Sequence, residues 1–231
     1  MKSISANKSD WVRMLTTITA FQKEVRIVVD DGKAICLTVD PAKVAIVKAA
    51  IECQGECDPF TVNGEQFLKA LNAAGNDPII EFDDNMSQMT LRGTAKVKVP
   101  LLVDMGEIKD INREMFNECE GKGKFTPASV EPIIGYGMYT KEQVVVFNIK
   151  DNKMQIVVGT GSNLASFDDF EGTGQASSIY PLDYFSTTVK QMSGAENVDV
   201  SLPRDSYPVL MEWQVGTGEY SIVIAPRIEE E

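Results

Sequence analysis

Three pairs of adjacent carboxylates are the residues whose type and spacing best suit chemistry: Asp30-Asp31, Asp83-Asp84 and Asp168-Asp169. Paired carboxylates can act as general acid and base or bind a divalent cation. The first two pairs fall in predicted hairpin turns, where Asp is favoured because its side chain bonds the backbone of the turn. We therefore expect turn residues here rather than an active site.

The chain contains no histidine, which excludes a Ser-His-Asp triad, His-assisted cysteine catalysis and the usual zinc site. Of the four cysteines, Cys53 and Cys57 are close in sequence, whereas Cys36 and Cys119 stand alone. Since a structural zinc site needs four ligands, we expect reduced thiols that act as small hydrophobic residues. The Gly-Thr-Gly segments at 159–161 and 172–174 are too short to be phosphate loops. The sequence predicts no enzyme, metal or cofactor.

The composition indicates a globular protein. Of its 231 residues, 43% are apolar and 24% are charged, enough for one or two domains with a buried core. Lys and Arg total 22 against 34 Asp and Glu, a net charge of −12, which argues against a surface that binds nucleic acid or anionic membrane all over. No apolar run approaches the roughly 20 residues of a membrane span, and the first five residues lack a signal-peptide core. We expect a cytoplasmic protein.

Most of the predicted elements are short β-strands joined by tight turns. Helices are predicted at 9–21, capped by Asn7 or Ser9, and at 64–74 and 182–192, each with apolar residues at helical spacing. A further segment at 127–138 contains Pro132, Gly135 and Gly137 and is predicted to be a poor helix. β-branched and alternating runs predict the strands at 24–29, 34–39, 43–52, 78–82, 86–91, 95–103, 143–149, 154–158, 197–202, 209–215 and 220–224.

The pattern of elements repeats along the chain. Asp151 lies 120 residues after Asp31, Phe185 lies 118 after Phe67, and Gly194 lies 119 after Gly75. Three such similar offsets indicate a tandem duplication. We predict an α+β fold of two similar domains with antiparallel sheets, at 1–103 and 117–231, joined by a connecting loop at 104–116.

Positive charge is distributed unevenly. Up to residue 116 the chain has 14 basic and 17 acidic residues, and beyond it 8 and 17, so the halves carry −3 and −9. On or beside the predicted helices lie Lys8, Arg13, Lys69 and Lys190. Segregated cations on an acidic molecule favour an anion-facing surface, although each lysine alone is typical of a solvated helix face.

Several segments, in order along the chain, resemble the proliferating cell nuclear antigen (PCNA) family of archaeal and eukaryotic sliding clamps. They are the segment Cys36-Leu37-Thr38-Val39-Asp40-Pro41-Ala42-Lys43-Val44-Ala45-Ile46-Val47, the helix end Ala73-Ala74-Gly75-Asn76-Asp77, the strand Tyr207-Pro208-Val209, and the C-terminus Ile224-Ala225-Pro226-Arg227-Ile228-Glu229-Glu230-Glu231. The resemblance extends over essentially the whole chain, including both repeats, and looks more archaeal than eukaryotic.

The resemblance implies a ring, usually a trimer, whose subunits join head to tail through edge strands. The matching edges are 95–103 and 163–167. Helices on the inner face would surround duplex DNA without reading its sequence, with Lys8, Arg13, Lys69 and Lys190 as the matching channel residues. The chain departs from the family because the segment 127–138 has no Lys or Arg. Homotrimer and heterotrimer therefore both stay open.

The family also binds short peptide motifs of its partners in an apolar pocket beneath the connecting loop. Matching positions are Val39, Lys43, Val44, Ile46, Ile111, Met115, Pro208, Val223, Ile224, Ala225 and Pro226. The implied partners are DNA polymerase, the clamp loader, flap endonuclease and DNA ligase, with a role as processivity factor in DNA replication and repair. The alternative is a non-catalytic β-rich module that binds protein or carbohydrate and has no DNA role. The mass in solution would distinguish the two.

Overall fold

The computed structural model describes residues 2–104, 106–159 and 164–227, apart from the side chains of Asp168 and Asp169. The side chains of the third carboxylate pair, most of the first Gly-Thr-Gly segment, Asn163 and the last four residues thus lie outside the described part. The chain divides into two compact units, Met1–Asp110 with Gly216–Tyr220, and Ile111–Val215 with Ser221–Glu231. Among the helices of the described residues, none combines the length and apolarity needed to cross a membrane.

Within its described residues, the first unit has two helices and nine complete strands. In chain order they are β1 Ser3–Ser5, α1 Lys8–Thr19, β2 Glu24–Asp30, β3 Lys33–Val39, β4 Ala45–Glu52, β5 Gln54–Glu56, β6 Phe60–Asn63, α2 Gly64–Ala74, β7 Ile79–Phe82, β8 Gln88–Arg92 and β9 Lys96–Pro100. Strands β4-β3-β2-β6 are consecutive neighbours, as are β5-β1-β7-β8-β9.

The second unit holds the remaining elements, with the last strand divided between the units. They are α3 Glu114–Asn117, β10 Gly121–Phe125, α4 Pro127–Thr140, β11 Val144–Lys150, β12 Lys153–Val158, β13 Ala165–Gly174, β14 Ala176–Pro181, α5 Leu182–Gln191, β15 Val198–Leu202, β16 Val209–Val215 and β17 Gly218–Ile224. Its strands lie in the order β14-β11-β12-β13-β10-β15-β16-β17.

The predicted duplication is confirmed by strand order and register. In the first unit β2 pairs antiparallel with β3 and β6, and in the second β11 pairs in the same way with β12 and β14. The first β-hairpin of each unit turns through residues with positive φ, Asp31 and Gly32 in one and Asp151 and Asn152 in the other. The units differ where β4 and β5 are separated at Cys53, because the matching strand β13 is continuous.

Helices α1 and α2 form because their apolar residues recur every three or four positions. Trp11, Leu15 and Ile18 of α1 are fully buried, and the Trp11 ring lies 5.4 Å from that of Phe67 on α2. Asn7 caps α1 by accepting a hydrogen bond from the Ser9 N–H at 2.8 Å, which satisfies an otherwise unpaired amide. The predicted bounds of α2 are confirmed, and α1 ends two residues earlier than predicted.

Segment 127–138 forms a longer helix than its composition predicts, because tertiary packing outweighs its low helix propensity. Pro127 opens α4 at a position where its missing N–H costs nothing, and Pro132 lies exposed. Gly137 lets the helix approach β12, since a Cβ there would lie 2.1 Å from Cγ1 of Val158. The two residues that extend the helix beyond the predicted segment add no Lys or Arg, so α4 as a whole has neither.

Replacing Gly137 with Ala tests this close approach. The added methyl would overlap Val158, and we expect the free energy of unfolding to fall by about 1–3 kcal/mol. Gly135 provides the matched control, since a Cβ there meets nothing within 4 Å. G135A should leave stability unchanged or raise it by up to about 1 kcal/mol through helix propensity. Urea unfolding would measure both variants. Equal shifts of the unfolding midpoint in G137A and G135A would contradict the packing argument.

Candidate functional sites

Three of the predicted DNA-facing cations lie on the two helices of the first unit. Arg13 is half-buried on the side of α1 that also carries the exposed Thr16, and Lys69 is exposed on α2. Lys8 is half-buried at the first position of α1, where its backbone N–H donates to Oδ1 of Asp77 at 2.9 Å. The structure thus places the predicted residues Arg13 and Lys69 away from the buried faces of two packed helices.

The helices of the second unit carry less positive charge. Lys190 is exposed near the end of α5, where a cation also suits the helix dipole. The exposed residues of α4 include Tyr136, Met138 and Tyr139, with exposed fractions of 41%, 51% and 87%. This helix therefore presents aromatic and apolar side chains where the family resemblance would expect basic ones.

A rigid turn supports the predicted partner surface in the first unit. Asp40 is 4% exposed, and its carboxylate accepts hydrogen bonds from the N–H groups of Ala42 and Ala45 at 2.9 and 2.6 Å. Lys43 adopts a positive φ of 60° in this turn and is exposed. The turn thereby fixes Val44, which is half-buried, directly before β4.

Side chains that alternate along β3 form one face of the sheet. Val39 is paired in register with Ile46, and Leu37 is paired with Lys48. On the other side of β3, Ile35 is paired with Val28 of β2. All these side chains are half-buried, so the predicted contact residues Val39 and Ile46 continue into a longer, partly apolar strip.

A segment of the predicted connecting loop crosses this strip. We call it the strap, and it comprises Asp104 and Gly106–Asp110. Arg26 Nε donates to Oδ1 of Asp104 at 2.8 Å, and its Nη2 donates to Oδ2 at 3.3 Å. At the other end, Lys48 Nζ donates to Oδ2 of Asp110. The two ion pairs therefore hold the strap at both ends.

The hydrogen bond from Arg26 lowers the pKa of Asp104, with a further contribution from the backbone N–H of Gly106. A carboxylate whose pKa is lowered by folding contributes stability above its unfolded pKa, and that contribution is lost as the pH falls through the folded value. The pair is therefore fully formed at neutral pH and breaks only in acid.

In the second unit, the predicted contact residues differ in exposure. Ile224 is fully buried, and Ile111 and Val223 are 6% and 8% exposed, so their side chains support the surface from beneath. Met115, on α3, is 37% exposed. The remaining members, Pro208, Ala225 and Pro226, are half-buried.

Strand β14 brings Pro208, Ala225 and Pro226 together. Tyr180 Oη donates to the carbonyl of Tyr207 at 2.7 Å, which positions the following proline. The N–H of Arg227 donates to the carbonyl of Ile179 at 2.8 Å, which aligns the C-terminal segment with the same strand. The sequence prediction missed Tyr180, Ile179 and both ion pairs of the strap, because each depends on contacts between distant segments.

Asp83 and Cys57, two of the groups that could take part in chemistry, are hydrogen-bonded in a turn and partly buried, respectively. Asp83 accepts hydrogen bonds from the Ser87 hydroxyl and from the N–H groups of Gln88 and Ser87, the last two at 3.0 and 2.7 Å. The hydroxyl contact lowers the pKa of Asp83 most, and the carboxylate is occupied in the turn. Burial raises the pKa of Cys57 to about 12, so this thiol stays protonated. Among the described residues, no group of three or more Cys, Asp or Glu has an arrangement that could hold a metal ion.

Comparisons with known proteins identify sliding clamps as similar in sequence and in fold. No protein-family model matches the chain. Over 60 residues the chain is 38% identical to proteins named DNA polymerase sliding clamp from Methanosarcina mazei and Methanosarcina acetivorans. This stretch is 25% of the chain and spans only 24% of the length of those relatives.

Solved structures match over nearly the whole chain. A PCNA2-PCNA3 complex from Sulfolobus tokodaii gives a TM-score of 0.80 at 19% identity, covering 97% of this chain and 99% of that one. A. fulgidus PCNA bound to the C-terminal region of FEN-1 gives 0.81 at 20% identity and covers both chains fully. The chain therefore has the PCNA fold, and the predicted fold class is confirmed.

Proteolysis within the strap tests whether its two ion pairs hold it in place. In an R26Q/K48Q variant, which removes the cation of each pair and leaves the sequence around Lys109 intact, we expect trypsin to cut after the exposed Lys109 roughly 2- to 30-fold faster, since each ion pair contributes about 0.2–1 kcal/mol. Mass spectrometry of a digestion time course would measure the cut. D58N, which removes a carboxylate paired with Lys2 elsewhere, is the control and should digest like the parent. Unchanged cleavage in the double variant would show that other contacts hold the strap.

Proposed function

We propose that the chain is a subunit of a DNA sliding clamp, a non-catalytic ring that encloses duplex DNA and tethers replication and repair enzymes. The observation that carries this proposal is the duplicated β-sheet unit with the PCNA fold over the full chain. The short stretch of 38% identity to proteins named DNA polymerase sliding clamp supports it independently. An archaeal cytoplasm is the setting that fits these relatives.

Open strand edges support assembly into a ring. Strand β9 is the last strand of its sheet and pairs with β8, leaving its other edge open among the described residues. It is shorter than the predicted edge at 95–103, since it ends at Pro100. In the second unit, Ala165 to Phe167 of β13 pair with β12, and β10 joins β13 only from Glu171 onward. We infer that β9 of one subunit pairs with β13 of the next, which closes a ring head to tail.

Enclosure explains how so acidic a protein would hold DNA. With a net charge of −12, the chain has little general affinity for phosphate. Lys8, Arg13, Lys69 and Lys190 would offset repulsion near the phosphates without reading base edges, because phosphate contacts carry no direct sequence information. A ring must open before DNA can leave, so few cations suffice.

Partner proteins would dock on residues that remain accessible at the surface. In the first unit these are the half-buried Val39, Val44 and Ile46 with the exposed Lys43, and in the second the half-buried Pro208, Ala225 and Pro226. The FEN-1 region bound to A. fulgidus PCNA supports a flap endonuclease as one partner. We propose DNA polymerase, DNA ligase and the clamp loader as the others, each binding through a short peptide motif.

Charge reversal on the helices tests the DNA-facing surface. We expect R13E/K69E/K190E to assemble normally but to lose most stimulation of a polymerase on primed DNA, because each of the three cations becomes an anion that repels phosphate. The matched control reverses three exposed lysines on strands, K122E/K124E/K150E, and should keep its activity. Light scattering would verify assembly of both variants. Full stimulation by the helix variant would contradict the assignment, and a monomeric parent protein would contradict the ring.

A further inference from the structure

A cavity of about 210 Å³ lies beneath the strap in the first unit. Val28, Ile35 and Leu37 line it from the sheet, and Ile108, which is 39% exposed, lines it from the strap. Arg26 and Lys48 close its two ends through their ion pairs with Asp104 and Asp110. The cavity therefore has an apolar floor and roof and is open at its sides.

The volume suits one apolar side chain. An apolar protein cavity of about 150 Å³ is enough to bind benzene, so the volume here accommodates a phenyl ring or a branched aliphatic group. Ligand pockets for drug-sized molecules are larger, about 300–1,000 Å³. The cavity is thus the size of a single anchoring group rather than of a whole small molecule.

The charged residues at the rim of the cavity determine which charge is favoured next to the bound apolar side chain. Arg26 and Lys48 are neutralised by Asp104 and Asp110. The other two charged residues that line the cavity, Asp30 and Glu107, are exposed and form no salt bridge among the described residues. The mouth of the cavity therefore carries a net negative charge and favours a cation beside the apolar group.

The cavity continues the surface assigned to partner peptides. Leu37 and Ile35 lie two and four residues before Val39 on the same face of β3. The cavity therefore begins about 7 Å and ends about 13 Å from Val39 along the strand. An extended peptide seated on Val39 and Ile46 would reach it two to four residues further along.

We propose that this cavity is an accessory pocket that binds one apolar side chain of a partner segment next to a lysine or arginine. The identity of the ligand as a partner peptide rests on the proposed function, whereas the preference for an apolar group with an adjacent cation rests on the cavity alone. The strap forms the roof of the pocket, and its two ion pairs keep the pocket in shape.

Small probes test the chemistry of the pocket without any partner. Phenethylammonium and 3-phenylpropionate carry the same ring and opposite charges. In methyl NMR titrations of the full chain, we expect phenethylammonium to shift Val28, Ile35 and Leu37 and to bind about 3- to 30-fold more tightly than the anion, since two exposed charges are involved. Equal affinities, or shifts confined to other methyl groups, would overturn the pocket.

Two surface variants distinguish the effect of the acids at the rim of the cavity from that of the protein's overall negative charge. D30K/E107K should reverse the preference, so that 3-phenylpropionate binds more tightly. The control D84K/E118K changes two exposed acids elsewhere and should keep the preference for phenethylammonium. If D30K/E107K kept the parent's preference, the charge argument would be contradicted. Circular dichroism of the parent and both variants would verify that all three are folded.

A peptide experiment then tests the link to partner binding. The C-terminal region of FEN-1 from A. fulgidus would be titrated as it stands and with Gly-Leu-Lys or Gly-Leu-Glu added at each end in turn. We expect a Gly-Leu-Lys extension at one end to strengthen binding several-fold and Gly-Leu-Glu at that end to give no gain. If the unextended peptide binds but neither extension helps, the accessory pocket is wrong as a peptide site. If no peptide binds while phenethylammonium does, the peptide-binding part of the proposed function fails and the pocket stands.

Discussion

Burial of one face of each antiparallel sheet is the constraint on which the rest of the structure depends. Along β3 the residues of one parity, such as Ala34 and Cys36, are fully buried, while Ile35 and Leu37 are not. Because the side-chain period of a strand is two, the residues that pack the core also determine which residues remain on the opposite face. The partly apolar strip on β3, the strap and the cavity beneath it all occupy positions left over by that packing.

The duplication uses this arrangement twice with different side chains. In the first unit a Trp11–Phe67 contact joins the two helices, whereas in the second Phe147 packs against Phe185 and Tyr180, at 5.1 and 5.6 Å between ring centroids. The buried faces are comparable in hydrophobic character, and the exposed faces have diverged. Cations are present on α1, α2 and α5, and exposed aromatic residues on α4.

Local patterns made much of the fold predictable from sequence. The hairpin around Asp31 and the bounds of α2 follow from turn residues, alternation and an Asn cap, all of which act over a few residues. Strand β10, with the sequence Gly-Lys-Gly-Lys-Phe, was missed because glycine weakens the strand signal, and α4 was underestimated because its packing is not visible in its composition. The strap depends on ion pairs between residues 78 and 62 positions apart, which no local pattern indicates.

The open edge of β9 carries Lys96 and Lys98 on the same exposed face, and neither forms a salt bridge among the described residues. Two such strands aligned side by side would bring four ammonium groups close together, and like charges across a strand pair are destabilising. The edge thus discourages twofold dimers and growth into fibrils while leaving its backbone amides and carbonyls available to a strand of different composition.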